Sequence, residues 1–131
     1  MYEVAITGIG IVSCLGSGAE KVTESLRVGR SGIGLDPERE QRGFRSALTG
    51  IISDFEPPKL GRKERRTLTD FGMHAYGAAL EAIESAGWQK NEVESTRTGL
   101  IIGNDSSGKS NIEQVDTVRE EGRTLEIGAG A

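Results

Sequence analysis

Apolar positions along the chain follow two recurring patterns: continuous runs broken by glycine, and residues spaced three and four apart. The first run, Val4-Ala5-Ile6-Thr7-Gly8-Ile9-Gly10-Ile11-Val12, puts apolar side chains on both faces of an extended segment. A strand of this kind belongs inside a sheet covered on both sides. Gly8 and Gly10 leave room for another backbone to approach, and Gly16 supplies a turn residue. Thr98-Gly99-Leu100-Ile101-Ile102-Gly103 repeats the pattern later in the chain. Between the two runs, the spacing predicts a helix over 19–28, with Val22 and Leu26 one turn apart and Gly29 just past its end. Residues 29–34 read as loop, and the stretch to Arg45 as polar, irregular chain. A short strand is expected over 48–52, and Pro57-Pro58 make 53–59 a connector.

The longest helical pattern covers 62–86, where Leu68, Phe71, Ala75, Ala79, Ala82 and Ala86 recur at three- and four-residue steps. A face of small residues lets the helix sit close to its neighbour. Gly87 is placed to end it, with Trp88 packing back on the last turn. Ser110 and Glu113 have capping-box spacing for a last helix to about 121, carrying Ile112, Val115 and Val118 on one side. Strands alternating with helices predict an α/β fold with mainly parallel strands.

Composition narrows the class. The 131 residues carry a net charge of -4, from 16 basic and 20 acidic side chains, so no overall bias toward nucleic acid exists. No apolar stretch reaches the roughly 18 residues of a membrane span, and no signal-peptide pattern opens the chain. A single cysteine forms no internal disulfide, which fits a reducing, cytoplasmic setting. Glycine is abundant, at 19 residues, as tight turns in a close-packed α/β protein require.

Four residue groups are candidates for chemistry. Gly8-Ile9-Gly10 has the opening of a dinucleotide-binding turn, but Ser13 stands where a third glycine is needed and no helix follows directly. Gly103-Asn104-Asp105-Ser106-Ser107-Gly108-Lys109-Ser110 satisfies the P-loop pattern, between a strand and a helix. In a P-loop, backbone N–H groups cradle phosphates, the lysine reaches them, and the serine hydroxyl binds magnesium. Nothing after Ser110 reads as an apolar strand ending in aspartate to hold that metal, so the pattern also suits a plain strand-to-helix turn. Lys59, Arg62, Lys63, Arg65 and Arg66 form a basic cluster at the expected start of the long helix. Cations there oppose the helix dipole by about 0.3–1 kcal/mol each. Arg62 and Arg66, one turn apart, can face a single acidic partner; the same cluster also suits a solvated helix start. Cys14 and His74, the only thiol and the only imidazole, have no third group beside them in the sequence and are expected to be packing residues. They also offer too few ligands for a metal site.

The run V-A-I-T-G-I-G-I-V-S-C-L-G resembles the amino terminus of the β-ketoacyl-acyl-carrier-protein synthases. Leu26-Arg27-Val28-Gly29-Arg30-Ser31-Gly32-Ile33 is similar to that family's L-R-x-G-x-S-G-I stretch. Arg62-Lys63 with Arg66, Asp70, Ala82-Ile83 and Ala86-Gly87 resembles its following helix, and Arg97 to Gly103 its R-x-G-L-I-x-G strand. The resemblance runs through 1–131 and implies an incomplete, amino-terminal portion of a ketosynthase domain. It implies part of the amino-terminal half of a thiolase-like layered αβαβα fold, working as a homodimer. The family condenses an acyl group with malonyl-acyl carrier protein, losing carbon dioxide, through a cysteine nucleophile, an oxyanion hole and two histidines. By the same resemblance no catalytic residue lies in this chain, and Cys14 does not match the nucleophile. Arg62, Lys63 and Arg66 match positions that dock the acidic carrier protein, and Ser106 belongs to a loop beside the acyl pocket. There Asn104, Asp105, Ser106 and Ser107 replace much of a glycine-rich pattern. No cofactor, metal, nucleic acid or membrane is implied, since substrates ride on the carrier's phosphopantetheine. A nucleotide-binding module through Gly103–Ser110 and a catalytically silent thiolase-fold partner subunit stand as alternatives.

Overall fold

The structure is a computed structural model describing residues 3–65, 68–104 and 108–122. In order, its elements are β1 (Val12–Ser13), β2 (Gly16–Ser17), α1 (Ala19–Arg27), β3 (Ile33–Leu35), α2 (Pro37–Gln41), β4 (Leu48–Gly50), α3 (Arg62–Arg65), α4 (Asp70–Ser85), α5 (Lys90–Val93) and α6 (Gly108–Glu121).

Helix α4 is the platform on which the amino-terminal segment lies. Gly8 and Gly10 rest directly on its backbone: a Cβ at either would overlap the Ala82 or Ala78 carbonyl oxygen. The expected close approach is therefore real, and it disposes of a phosphate cradle at these glycines, because the helix fills the space. Of the small-residue face expected from spacing, Ala82 and Ala86 lie under the segment, with Ala78 beside them. The platform's deepest side chain is Met73, 2% exposed. Gly77, mid-helix, takes the ring of Phe55 where a side chain would stand. Glycine there costs the helix about 0.5–1 kcal/mol relative to alanine, which this contact offsets.

Helix α1 turns inward through Val22 and Ser25, while Leu26 stays exposed. Ser25, 1% exposed, is satisfied because its hydroxyl donates to the Leu15 carbonyl at 2.7 Å. Gly29 adopts φ 67° and Arg30 N–H reaches back to the Ser25 carbonyl at 2.8 Å, closing α1 as its sequence predicts. Helix α4 ends the same way, with Gly87 at φ 71° and Trp88 N–H on the Ile83 carbonyl at 3.1 Å.

Several elements differ from expectation. The long helix over 62–86 is two helices, because Thr69 takes an extended conformation and caps α4, its hydroxyl accepting from Gly72 N–H at 3.1 Å. The first turn of α4 holds acidic Asp70, so the basic cluster does not burden that dipole. The loop over 29–34 and the strand over 48–52 are two sides of one hairpin: β3 pairs antiparallel with β4, Leu35 opposite Leu48. The polar stretch between them contains α2, with Pro37 in its first turn and Asp36 capping through Glu38 N–H at 2.9 Å. The last helix starts at Gly108, before Ser110, so Ser110 is not its cap.

Both strand ladders among the described residues, β1–β2 and β3–β4, are antiparallel pairs. Apart from Val12, which pairs with Ser17 in β1–β2, the two apolar runs expected as parallel interior strands make no ladder among the described residues. Val4 is 94% exposed and Ile101 98%. A strand forms only against a neighbour that satisfies its backbone groups, and among the described residues neither Val4 nor Ile101 has one.

Candidate functional site

The basic cluster is carried on a single turn of helix. All four residues of α3 are exposed, with Arg62 and Lys63 open to solvent. The turn is closed locally: Glu64 carboxylate accepts from Gly61 N–H at 2.8 Å. Arg65 has partners of its own, the Leu68 carbonyl at 3.2 Å and Asp70 at 3.7 Å. Arg62 and Lys63 form no ion pair among the described residues, so their charge is available to a partner. Arg66, the third expected docking residue, lies outside the described residues, as does Ser106 of the expected acyl-pocket loop.

The chain leading to α3 is held at Asp54. Its carboxylate accepts from Lys21 Nζ at 2.9 Å, from the Ser17 hydroxyl at 3.1 Å and from Ser17 N–H at 3.3 Å. The Lys21 hydrogen bond, with help from Ser17, draws the Asp54 carboxyl below the usual aspartate range. The same hydrogen bond and the Asp54 charge raise the Lys21 ammonium above its usual value. Phe55 then lies over α4, its ring 4.8 Å from that of His74 at 75°, an edge-to-face contact.

Cys14 and His74 have separate surroundings. The Cys14 thiol sits against the hairpin, where a Cβ on Gly50 would stand 3.1 Å from Sγ and one on Gly32 2.8 Å. His74 rests on Phe55. Cys14 thus packs on the hairpin glycines and His74 on the Phe55 ring. Among the described residues, no cluster of three or more His, Cys, Asp or Glu could hold a metal ion. Nor is any helix among them long and apolar enough to cross a membrane. Within Gly103–Ser110, residues 105–107 lie outside the described residues, and Gly103 and Asn104 are exposed ahead of α6.

Sequence reasoning missed Glu81. Its carboxylate leaves α4 to accept from Ile11 N–H at 2.8 Å and from Ala19 N–H, in the first turn of α1, at 2.6 Å. It thereby caps α1 from another element, since Gly18 at the cap position has no side chain to do so. Its partners are backbone groups 70 and 62 residues away, so no local pattern announces the role.

Residues 1–129 match the family model for the β-ketoacyl synthase N-terminal domain. The 3-oxoacyl-[acyl-carrier-protein] synthase 1 of Haemophilus influenzae is 38% identical over 120 residues, covering 91% of this chain and 30% of that protein. The enzyme of the same name from Escherichia coli K12 is 36% identical over 104 residues, covering 79% of this chain and 26% of that protein. The chain thus spans about a third or less of the length of these relatives. A β-ketoacyl synthase crystal structure from Burkholderia phymatum superposes over 99% of this chain and 33% of its own, with 27% identity and a TM-score of 0.79. The α/β elements described above are therefore part of a thiolase-like fold, and the chain belongs to the β-ketoacyl synthase family.

Proposed function

We propose that the protein containing this chain is an acyltransferase that elongates fatty acyl chains. It condenses an acyl group with malonyl-acyl carrier protein and releases carbon dioxide. The observation that carries this reading is the 38% identity to a 3-oxoacyl-[acyl-carrier-protein] synthase across 91% of the chain. On this reading 1–131 is the amino-terminal portion of one ketosynthase domain, and the full protein is a cytoplasmic homodimer needing no metal or cofactor. The nucleophile and the decarboxylating histidines belong to other parts of the domain, so 1–131 alone is inactive. Its own contribution is recognition: Arg62, Lys63 and Arg66 meet the acidic carrier protein, and Ser106 lies beside the acyl pocket. The exposure of Arg62 and Lys63 and their freedom from ion pairs among the described residues support that role.

The test is steady-state condensation by the full-length protein with malonyl- and acyl-carrier protein. Charge reversal by Arg62→Glu with Lys63→Glu should raise KM for the carrier-borne substrate more than for a carrier-free acyl thioester. The effect should fade with salt, because such attraction is screened over about 8 Å at physiological ionic strength. Absence of condensation by the wild-type protein would favour a catalytically silent partner subunit. An unchanged carrier KM at low salt would remove the docking assignment.

A further inference from the structure

We propose that Phe55 and Gly77 form a seat that positions the basic helix α3 for its acidic partner; this rests on the docking role proposed for Arg62 and Lys63. The four residues of α3 are all exposed, so its placement is inherited from the chain on either side. On the carboxyl side, Arg65 is tied to the Leu68 carbonyl and to Asp70. On the amino side stands the connector. Asp54 pins its start to Ser17 and Lys21. The next residue, Phe55, lies with its ring against His74 and its far edge over Gly77.

The fit at Gly77 leaves no room. A Cβ there would stand 2.6 Å from Phe55 Cε2, 3.0 Å from Cζ and 3.8 Å from Pro58 Cδ. The ring has little freedom to move aside, because His74 borders it. Pro57 and Pro58 follow with φ fixed by their rings, which stiffens the connector between Phe55 and α3. A glycine mid-helix is otherwise unfavourable, and the ring occupying its side-chain space is the physical reason it stands here. Neither residue touches substrate. Both act through the cations of α3.

The experiment is Gly77→Ala in the full-length protein. Alanine favours the helix, so α4 itself is not weakened. KM for acyl-carrier protein should rise roughly fivefold, as when exposed cations lose their match to an acidic surface, with kcat unchanged. Turnover of a carrier-free acyl thioester should not change. Phe55→Ala, which removes the ring, should raise the same KM. The double variant should be no worse than Phe55→Ala alone, since with the ring gone the alanine methyl has no ring left to displace. An unchanged carrier KM in Gly77→Ala, an equal rise for the carrier-free substrate, or additive effects in the double variant would each overturn the seat. Arg62→Glu separates the two levels. If it raises carrier KM while Gly77→Ala does not, the seat fails and docking stands. If Arg62→Glu changes nothing, the docking reading itself fails.

Discussion

Removing the Glu81 carboxylate should loosen the junction of β1, α1 and α4 more than any other single polar change outside the core. The carboxylate accepts two backbone N–H groups, from Ile11 at 2.8 Å and Ala19 at 2.6 Å. A hydrogen bond to a charged group contributes about 1.5–3 kcal/mol, and the low end applies because the site is partly buried. The negative charge beside the first turn of α1 adds about 0.3–1 kcal/mol. Glu81→Ala should therefore cost about 3 kcal/mol, a large part of the roughly 5–15 kcal/mol that holds a domain folded. Glu81→Gln keeps the shape but offers one carbonyl oxygen, turning its NH2 toward the second N–H. It should cost about 2 kcal/mol, since one donor is left facing another donor. Native-state hydrogen exchange reads the change directly at the Ile11 and Ala19 amides. In Glu81→Ala both should exchange on the order of a hundredfold faster, because each 1.4 kcal/mol is about tenfold. In Glu81→Gln one amide should keep most of its protection and the other should lose it. Equal exchange in wild type and Glu81→Ala, or a loss confined to α4, would refute the bridging account.

Two further outcomes follow from the geometry. The Lys21–Asp54 contribution should be greatest near neutral pH. Asp54 is held below its ordinary pKa, so its contribution is present above the unfolded value and is lost as pH falls through the folded one. Lys21 is raised above 10.5, so its contribution is present below that value and is lost as pH rises through the folded one. Asp54→Asn should remove the acid-side loss, checked by comparing urea midpoints of the two proteins across pH. Magnesium-ATP should show no saturable binding at millimolar concentration, where even a site of about 4 kcal/mol begins to fill; saturable binding abolished by Lys109→Ala would restore the P-loop reading.

Helix ends were legible in the sequence because they depend on neighbours a few residues away. Gly29 and Gly87 close α1 and α4 at the places their sequence indicates, since a left-handed residue and a reaching-back N–H are local requirements. The close approach at Gly8 and Gly10 was equally readable, because only a residue without Cβ allows it. The family was readable from the order of its motifs.

What the tertiary structure alone decided are the features whose cause lies far away in the chain. Thr69 breaks the 62–86 pattern because its hydroxyl takes a backbone partner that apolar periodicity does not encode. The inward face of α1 runs through Ser25 instead of Leu26 because the Leu15 carbonyl is there to accept from it. Pairing of β3 with β4 across the α2 insertion reverses a loop assignment, since a short strand is specified by its partner more than by its own composition. Glu81, Asp54 and the Phe55–Gly77 contact join segments distant in sequence. Polar clamps to backbone N–H groups and the shape of a ring against a glycine leave no periodic trace, so folding in three dimensions is what brings them together.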